Sequence, residues 1–467
     1  MITSTALQSL IDDPAKRSEV SAVEMATAFL DRMGRLHDRF RAFITETPEL
    51  AIRGAERVDA ARRRGRRLPL DGMPIAIKDN IDVAGIPTTV GSRSFEHSIA
   101  VEHAEAVRLL AKAGAVILGK TNLHELVFGA TTDNPYYGTC RNPWNPDHSP
   151  GGSSGGSAVA IAADLCVGAL GSDTGGSIRL PSAFVGVTGL RPSFGRISNR
   201  GTFPVSWSFD VIGPMARSVR DVAALLIAMN RYDKLDSCAV RYGRLRFTDH
   251  NPGSLRGLRA GLPDSYFFEG IDPEVERLVR EGAVLLSELG IETTDVHIPD
   301  ILEAVQAASL VNVTEALAVH QRRLHENPQA FSRDIRERLQ SGESVTGTQY
   351  VQAMRTGQMW RRTMHTILET DADVMLTPTS GWTAPTIEEG RQSTVRSRMP
   401  AMTYPWSLAS LPSLSLPCGV TAKGLPVGMQ LSAAPGKEMT LIRIGLAYQS
   451  VTDWHRLRAP LVGAVAD

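Results

Sequence analysis

Apolar residues recur three and four positions apart near the start of the chain. Val23, Ala26, Phe29, Leu30 and Met33 form one stripe, and Ala51, Ala55, Val58 and Ala61 form another. That spacing lines one face of a helix and predicts a helical segment over residues 1–65. Ser21 and Glu24 stand three apart ahead of the first stripe, the pattern of a reciprocal capping box. Five arginines in Arg62–Arg67 close the second stripe, with cations at the helix's negative end and Gly65 to stop it. A localisation signal is the competing reading of those arginines.

From residue 70 to 220 the pattern changes. Ile75–Ile77, Ala115–Leu118 and Cys166–Leu170 are apolar runs that predict short buried strands, while Ala104–Ala113 and Ser157–Ala163 predict helices. A strand near Arg259–Leu262 then precedes a helix capped by Asp272, with Pro273 in its first turn and Gly290 as its stop. Its buried stripe is Val275, Leu278, Val279, Leu285, Leu286 and Leu289. Residues 300–370 read as mainly helical. Val374–Thr377, Ser413–Leu416 and Pro426–Leu431 read as strands, and Gly381–Pro400 as the least ordered stretch. This alternation predicts an α/β fold with helices layered on a sheet. There is no internal repeat, low-complexity tract or long linker. One continuous domain over residues 1–467 is therefore expected, with a helical segment 1–65, a core 70–220 and a further α/β part 255–435.

Composition adds mainly exclusions. Of 467 residues, 42% are hydrophobic and 21% charged, ordinary values that allow a sizeable core. Fifty basic and fifty acidic residues cancel, so charge gives no support for nucleic acid or an anionic membrane as partner. Cys140, Cys166, Cys238 and Cys418 show neither CxxC nor zinc spacing, and Cys166 and Cys418 read as core residues. With no basic-then-apolar leader and no run approaching 18 apolar residues, a soluble, cytoplasmic protein is expected.

Two motifs invite functions that their surroundings oppose. Gly114–Thr121 matches GxxxxGK[ST], but the residues between its glycines are Ala-Val-Ile-Leu, an apolar strand rather than a phosphate-cradling loop. Gly152-Ser153-Ser154-Gly155-Gly156 contains GxSxG centred on Ser154. A nucleophile elbow needs a strand just before it, and residues 142–150 hold three prolines instead. His250, His297 and His455 lie downstream in no suggestive setting. A nucleotide site and a Ser-His-Asp hydrolase remain as competing readings.

A third constellation is more informative. Two glycine–serine clusters, Gly151–Ala158 and Ser172–Arg179, place Ser153 and Ser177 24 positions apart where backbone amides can approach a substrate. Lys78 ends the apolar run Pro74–Ile77, where burial would favour its neutral, basic form. A solvated strand end paired with Asp79 or Asp82 is the alternative for Lys78. Flexible linkers are the alternative for the clusters. Asp173 and Arg179 bracket the second cluster and suggest a loop held by charge, although a surface ion pair would look the same.

Taken together, these segments closely resemble the amidase signature family. The matching residues are Gly72–Asn80, Gly119-Lys120-Thr121-Asn122, both serine clusters, Gly189–Arg196 and Gly213–Ser218, with strong similarity over about residues 70–220. A weaker likeness extends to Thr377-Pro378-Thr379, Leu411-Pro412 and Gly424–Leu431. The resemblance implies a mixed twisted central sheet covered by helices on both faces. It implies Ser177 as nucleophile, Ser153 (held by a cis peptide in this family) as proton bridge and Lys78 as base. Backbone N–H groups of Thr174, Gly175, Gly176 and Ser177 would face the oxyanion, and Val127 and Gly129 would line the pocket. No metal or organic cofactor is implied. The expected partner is a small-molecule amide, without nucleic acid or membrane, and family members are often homodimers.

The implied reaction is hydrolysis of a small carboxamide or related C–N bond to an acid and an amine or ammonia. The alternative within the family is the glutaminase subunit of a tRNA-dependent amidotransferase, working with partner subunits. That subunit is expected to hold glutamine with an acid ahead of a Leu-Ala-Gly-Leu-Pro run. Here Met399–Ser407 has no acid and Ser410 replaces the glycine, which favours the small-molecule amidase. Trp207, Trp382, Tyr404 and Trp406 would suit an aromatic acyl group or ordinary core packing. Arg396 and Arg398 would suit an anionic substrate or a solvated loop.

Overall fold

Eleven strands from all along the chain join in one sheet. A computed structural model describes residues 2–246 and 255–463; His250 lies outside them. The strands are β1 (Phe43–Glu46), β2 (Pro74–Lys78), β3 (Val116–Thr121), β4 (Gly168–Asp173), β5 (Thr188–Arg191) and β6 (Val211–Ala216). They continue with β7 (Arg259–Pro263), β8 (Glu292–Val296), β9 (Val374–Pro378), β10 (Ser413–Val420) and β11 (Pro426–Ala433). Their order is β1-β3-β2-β4-β6-β5-β10-β11-β9-β7-β8. The sheet is mixed: β2 runs parallel to β3 and β4, whereas β4 pairs antiparallel with β6. Every residue of β2, β3, β4 and β6 is buried, as strands covered on both faces require.

The predicted helices form where the apolar stripes run. Ser21 and Glu24 make the full capping box ahead of Ala22–Phe40, which buries Met25, Ala26, Phe29, Met33, Leu36 and Phe40. Each large side chain so buried contributes about 1.5–3 kcal/mol. The second helix, Pro48–Arg63, ends inside the arginine run, and Gly65 takes the left-handed conformation after it. Arg62 is not a free surface cation. It bonds Asp71, Asp59 and the Val20 carbonyl, tying the helix to the loop before β2.

Three differences from the sequence reading bear on the site. The segment 1–65 is not wholly helical: Phe43–Glu46 forms an edge strand on β3, too short for its period to register. The strand predicted at Cys166–Leu170 runs later, to Asp173, and so enters the second serine cluster. Gly381–Pro400 is ordered, with helices at Ile387–Gly390 and Ser393–Arg398. A Thr386–Glu389 capping box starts the first helix. Ion pairs Arg391–Asp133 and Arg396–Asp334 fasten the stretch to the rest of the chain. Its stability comes from distant partners rather than from its own composition.

Among the described residues, Ile301–Glu326 is the one helix long and apolar enough to cross a membrane by length and composition. Half of its most apolar window is buried inside the protein.

Candidate active site

Strands β2 and β4 lie side by side and parallel, with Ile77 opposite Leu170. Their carboxyl ends therefore deliver Lys78 and Ser172–Asp173 to the same edge of the sheet, the usual place for a ligand in such folds. Lys78 is fully buried. Its Nζ lies 2.8 Å from Ser153 Oγ, 2.9 Å from Ser172 Oγ and 3.3 Å from the Ser172 carbonyl. Those three acceptors match the three N–H bonds of an ammonium group. Burial nevertheless pushes the lysine well below its ordinary pKa, and the charges of Asp173 and Asp210 only partly oppose it. The solvated strand end is thus excluded, and Asp79 pairs instead with Lys120 at 2.8 Å.

The first serine cluster crosses beneath this edge. Gly152–Ser153 is a cis peptide, and the Ser153 carbonyl accepts from His124 N at 3.2 Å. Ser154 is fully buried; its N–H donates to the Ser177 carbonyl at 3.1 Å and its Oγ to the Ser172 carbonyl at 3.1 Å. With its hydroxyl committed there, Ser154 cannot serve as an elbow nucleophile. Ser177 differs: it is partly exposed on a cavity wall, and its Oγ has no hydrogen-bond partner among the described residues.

Asp173 shapes the loop between the strand and Ser177. Its carboxylate accepts from Gly176 N at 2.9 Å, Ile178 N at 3.1 Å, Arg179 Nε at 3.1 Å and an Arg191 guanidinium N–H at 3.1 Å. All three charged side chains are fully buried, so this is no surface ion pair. Burial alone would raise the Asp173 carboxyl, but the two guanidinium groups outweigh it and hold it well below the usual range. Gly176 N–H is spent on Asp173, whereas the N–H groups of Thr174, Gly175 and Ser177 meet no acceptor among the described residues.

Glycine is required at two points of the loop. A Cβ on Gly175 would overlap the Tyr404 ring, and one on Gly176, which sits at φ +134°, would overlap Thr403.

The wall includes Val127, Gly129, Gly152, Thr174–Ser177 and Val205, around a cavity of about 40 Å³. The wall also carries polar side chains, Asn312, Arg338, Arg396 and Tyr404. The cavity shares those four residues with a neighbouring chamber of about 300 Å³. Arg338 donates to the Phe128 carbonyl at 2.8 Å, and Asn312 donates to Tyr404 Oη at 3.0 Å. Asp334 bridges Arg396, at 2.8 Å, and His124, at 3.3 Å. Burial would raise its carboxyl, but His124, Arg338 and Arg396 hold it down at about 2.

Of the aromatic residues considered, only Tyr404 lines the cavity. Trp406 is buried and stacks on Phe267, with centroids 5.0 Å apart, as core. Trp382 lies beneath Arg398 at 4.2 Å, and Trp207 is about half exposed. Sequence reasoning missed Ser172 and Asn80 near Lys78, Arg191 on Asp173, and Asn312 and Arg338. The first three stood inside quoted motifs, but the last two lie on distant helices and carry no local signal.

The family model described as Amidase matches residues 24–442. The chain belongs to the amidase signature family. It is an enzyme of the class that hydrolyses amide C–N bonds. It is 37% identical to a glutamyl-tRNA(Gln) amidotransferase subunit from Chloroflexus aurantiacus, in an alignment covering 95% of this chain and 96% of that one. A solved structure with 34% identity and a TM-score of 0.87 covers 93% of this chain and 96% of its own. It is an inhibitor-bound complex described as vestigial and as revealing the origins of an s-triazine catabolic enzyme. The peptide amidase of Stenotrophomonas maltophilia has 30% identity and a TM-score of 0.80, covering 95% of each chain.

Proposed function

We propose that this chain is the amide-hydrolysing subunit of a multi-subunit enzyme. It releases ammonia from a primary carboxamide on a small carboxylate-bearing molecule, with glutamine the first candidate. One observation carries this reading: Ser177 and the arginines Arg338 and Arg396 stand on the wall of a single small cavity. A substrate carboxylate held by the guanidinium groups would point its amide at the serine. The relatives support the subunit over a stand-alone small-molecule amidase, and a heteromeric assembly over a homodimer.

In the proposed reaction Lys78, neutral through burial, takes a proton from Ser153 while Ser153 takes one from Ser177. The Ser177 Oγ attacks the amide carbon, and N–H groups of Thr174, Gly175 and Ser177 receive the developing oxyanion. Losing one such donor typically costs about 2.7–4 kcal/mol of transition-state stabilisation. Ser153 returns a proton to the leaving nitrogen, ammonia departs, and water hydrolyses the acyl-enzyme. The entire chain acts as one catalytic unit in the cytoplasm on this reading.

The acid-free stretch Met399–Ser407 supports a second substrate. The cavity wall carries no carboxylate to receive an α-ammonium group, so an anionic amide lacking that group also fits. Ammonia release from glutamine, from its deamino analogue 5-amino-5-oxopentanoate and from neutral butyramide tests both. The measurement is made on the purified chain and on the chain co-purified with its partner subunits. Preference for glutamine in the assembly supports the first substrate, and preference for the deamino compound supports the second. Faster turnover of butyramide than of either anion by the assembly overturns the carboxylate reading. Full turnover by the isolated chain, unchanged by partners, overturns the subunit reading.

A further inference from the structure

Asp210 lies just before β6, beside the catalytic loop, and none of its atoms lines the cavity. Its Oδ1 accepts from Thr174 Oγ1 at 2.6 Å. Its Oδ2 accepts from Val205 N at 2.8 Å and Ser206 N at 2.9 Å. Thr174 and Val205 both line the cavity. One carboxylate therefore joins the loop that carries the free N–H donors to a second wall of the site.

The surroundings of Asp210 set its electrical role. Asp173, the other carboxylate that acts on Lys78, is matched by Arg179 and Arg191. Asp210 has no cation in ion-pair contact among the described residues. The groups facing it are Lys78 on β2, Arg191 on β5, Glu315 on the helix Ile301–Glu326 and the Cys238 thiol. Glu315 is itself engaged by Ser206, Ser208 and Tyr350. Burial raises the Asp210 carboxyl to about 6 against those hydrogen bonds. Above that value its charge acts on Lys78, with Arg191 opposing it in part.

We propose that Asp210 is a positioning residue for the amide-hydrolysing reaction: it clamps Thr174 to the Val205–Ser206 wall and sets a buried negative charge that acts on Lys78. The proposal rests on the catalytic roles given above to Ser177, Ser153 and Lys78.

A serine-directed fluorophosphonate tests it without knowledge of the substrate. In that labelling the Ser177 Oγ–P bond forms, the P–F bond breaks, fluoride leaves and the serine proton passes through Ser153 to Lys78. The full-length chain is labelled across pH 5 to 10, with the labelled residue identified by mass spectrometry. For Asp210→Asn, the midpoint of the acidic limb is expected to move to lower pH, because Lys78 loses a neighbouring negative charge. A purely structural role would lower the plateau and leave the midpoint in place, and that result overturns the proposal. For Thr174→Val, which keeps the charge, the midpoint is expected to stay. Its plateau should drop by about tenfold, a fraction of the roughly 10²–10³ that a lost oxyanion donor takes from a rate. A wild-type plateau in Thr174→Val overturns the clamp even if Asp210→Asn does not fold. Wild-type protein left unlabelled at Ser177 would bring down the catalytic reading itself, and the Asp210 proposal with it.

Discussion

Lys120 Nζ stands 2.8 Å from Asp79 Oδ1 with both side chains fully buried. Lys78, the residue before that aspartate, touches only hydroxyl and carbonyl oxygens. Two interior lysines on adjacent strands are thus treated oppositely. One is matched by a carboxylate in contact, and the other is left to lose its proton.

Removing one member of the matched pair strands the other charge. Lys120→Met should destabilise the fold by about 3–5 kcal/mol, the usual result of breaking a buried ion pair. Lys120→Met combined with Asp79→Asn should recover most of that in urea unfolding. Isothermal titration should find no ATP binding to the wild-type chain, since the GxxxxGK[ST] segment is strand β3.

Lys78 predicts a linkage of definite sign. Its folded pKa lies well below the ordinary value, so between that pKa and about 10.4 the unfolded chain binds the extra proton. Stability from this group therefore rises with pH across that window and is lost as pH falls toward the folded value. The unfolding free energy of wild type relative to Lys78→Met should increase steadily across it. Turnover by wild type should decline on the acid side as the amine protonates, and Lys78→Met should be almost inactive throughout.

Asp173 behaves in the opposite sense. Its carboxyl is depressed by Arg179 and Arg191, so its contribution is present above the unfolded value of about 3.9 and fades as pH falls through the folded one. Asp173→Asn should cost about 3–5 kcal/mol at pH 7, because two buried guanidinium groups lose their anion. Wild type and variant should converge in acid, as followed by circular dichroism.

The two serine clusters give a clean contrast. Ser177→Ala should abolish turnover and covalent labelling. Ser154→Ala removes a hydroxyl bonded to the Ser172 carbonyl and should lose about 1 kcal/mol of stability. Labelling at Ser177 should persist in that variant.

Arg338 and Arg396 separate binding from chemistry. Arg338→Met or Arg396→Met should raise KM for a carboxylate-bearing amide by roughly tenfold or more, as expected from a charge-assisted hydrogen bond of about 1.5–3 kcal/mol. The kcat/KM for butyramide should change little.

The residues proposed to react were legible as a constellation because they sit in short runs whose composition is extreme. Glycine beside serine, and lysine at the end of Pro-Ile-Ala-Ile, are statements about local backbone and burial. Strand and helix placement was legible wherever an apolar period persisted for a full turn or run. What escaped reading was held together across the chain. Arg191 reaches Asp173 from 18 residues away, Thr403 meets Gly175 from 228 residues away, and Arg338 reaches the Phe128 carbonyl from 210. The supposedly loose stretch Gly381–Pro400 is ordered for the same reason: Asp133 and Asp334 hold its arginines.

The close approach of Tyr404 to Gly175 and of Thr403 to Gly176 has an evolutionary side. The attacking, bridging and basic groups proposed here come from residues 78–177, whereas Asn312, Arg338, Arg396 and Tyr404 of the cavity wall lie within residues 312–404. Descendants of such a protein can exchange one amide for another by drift in the later segment while the earlier one stands still. Freedom ends at Thr403 and Tyr404, whose side chains already occupy the room a changed loop would need. New substrate ranges should therefore arise through Asn312, Arg338 and Arg396, and only rarely through the two residues that abut the glycines.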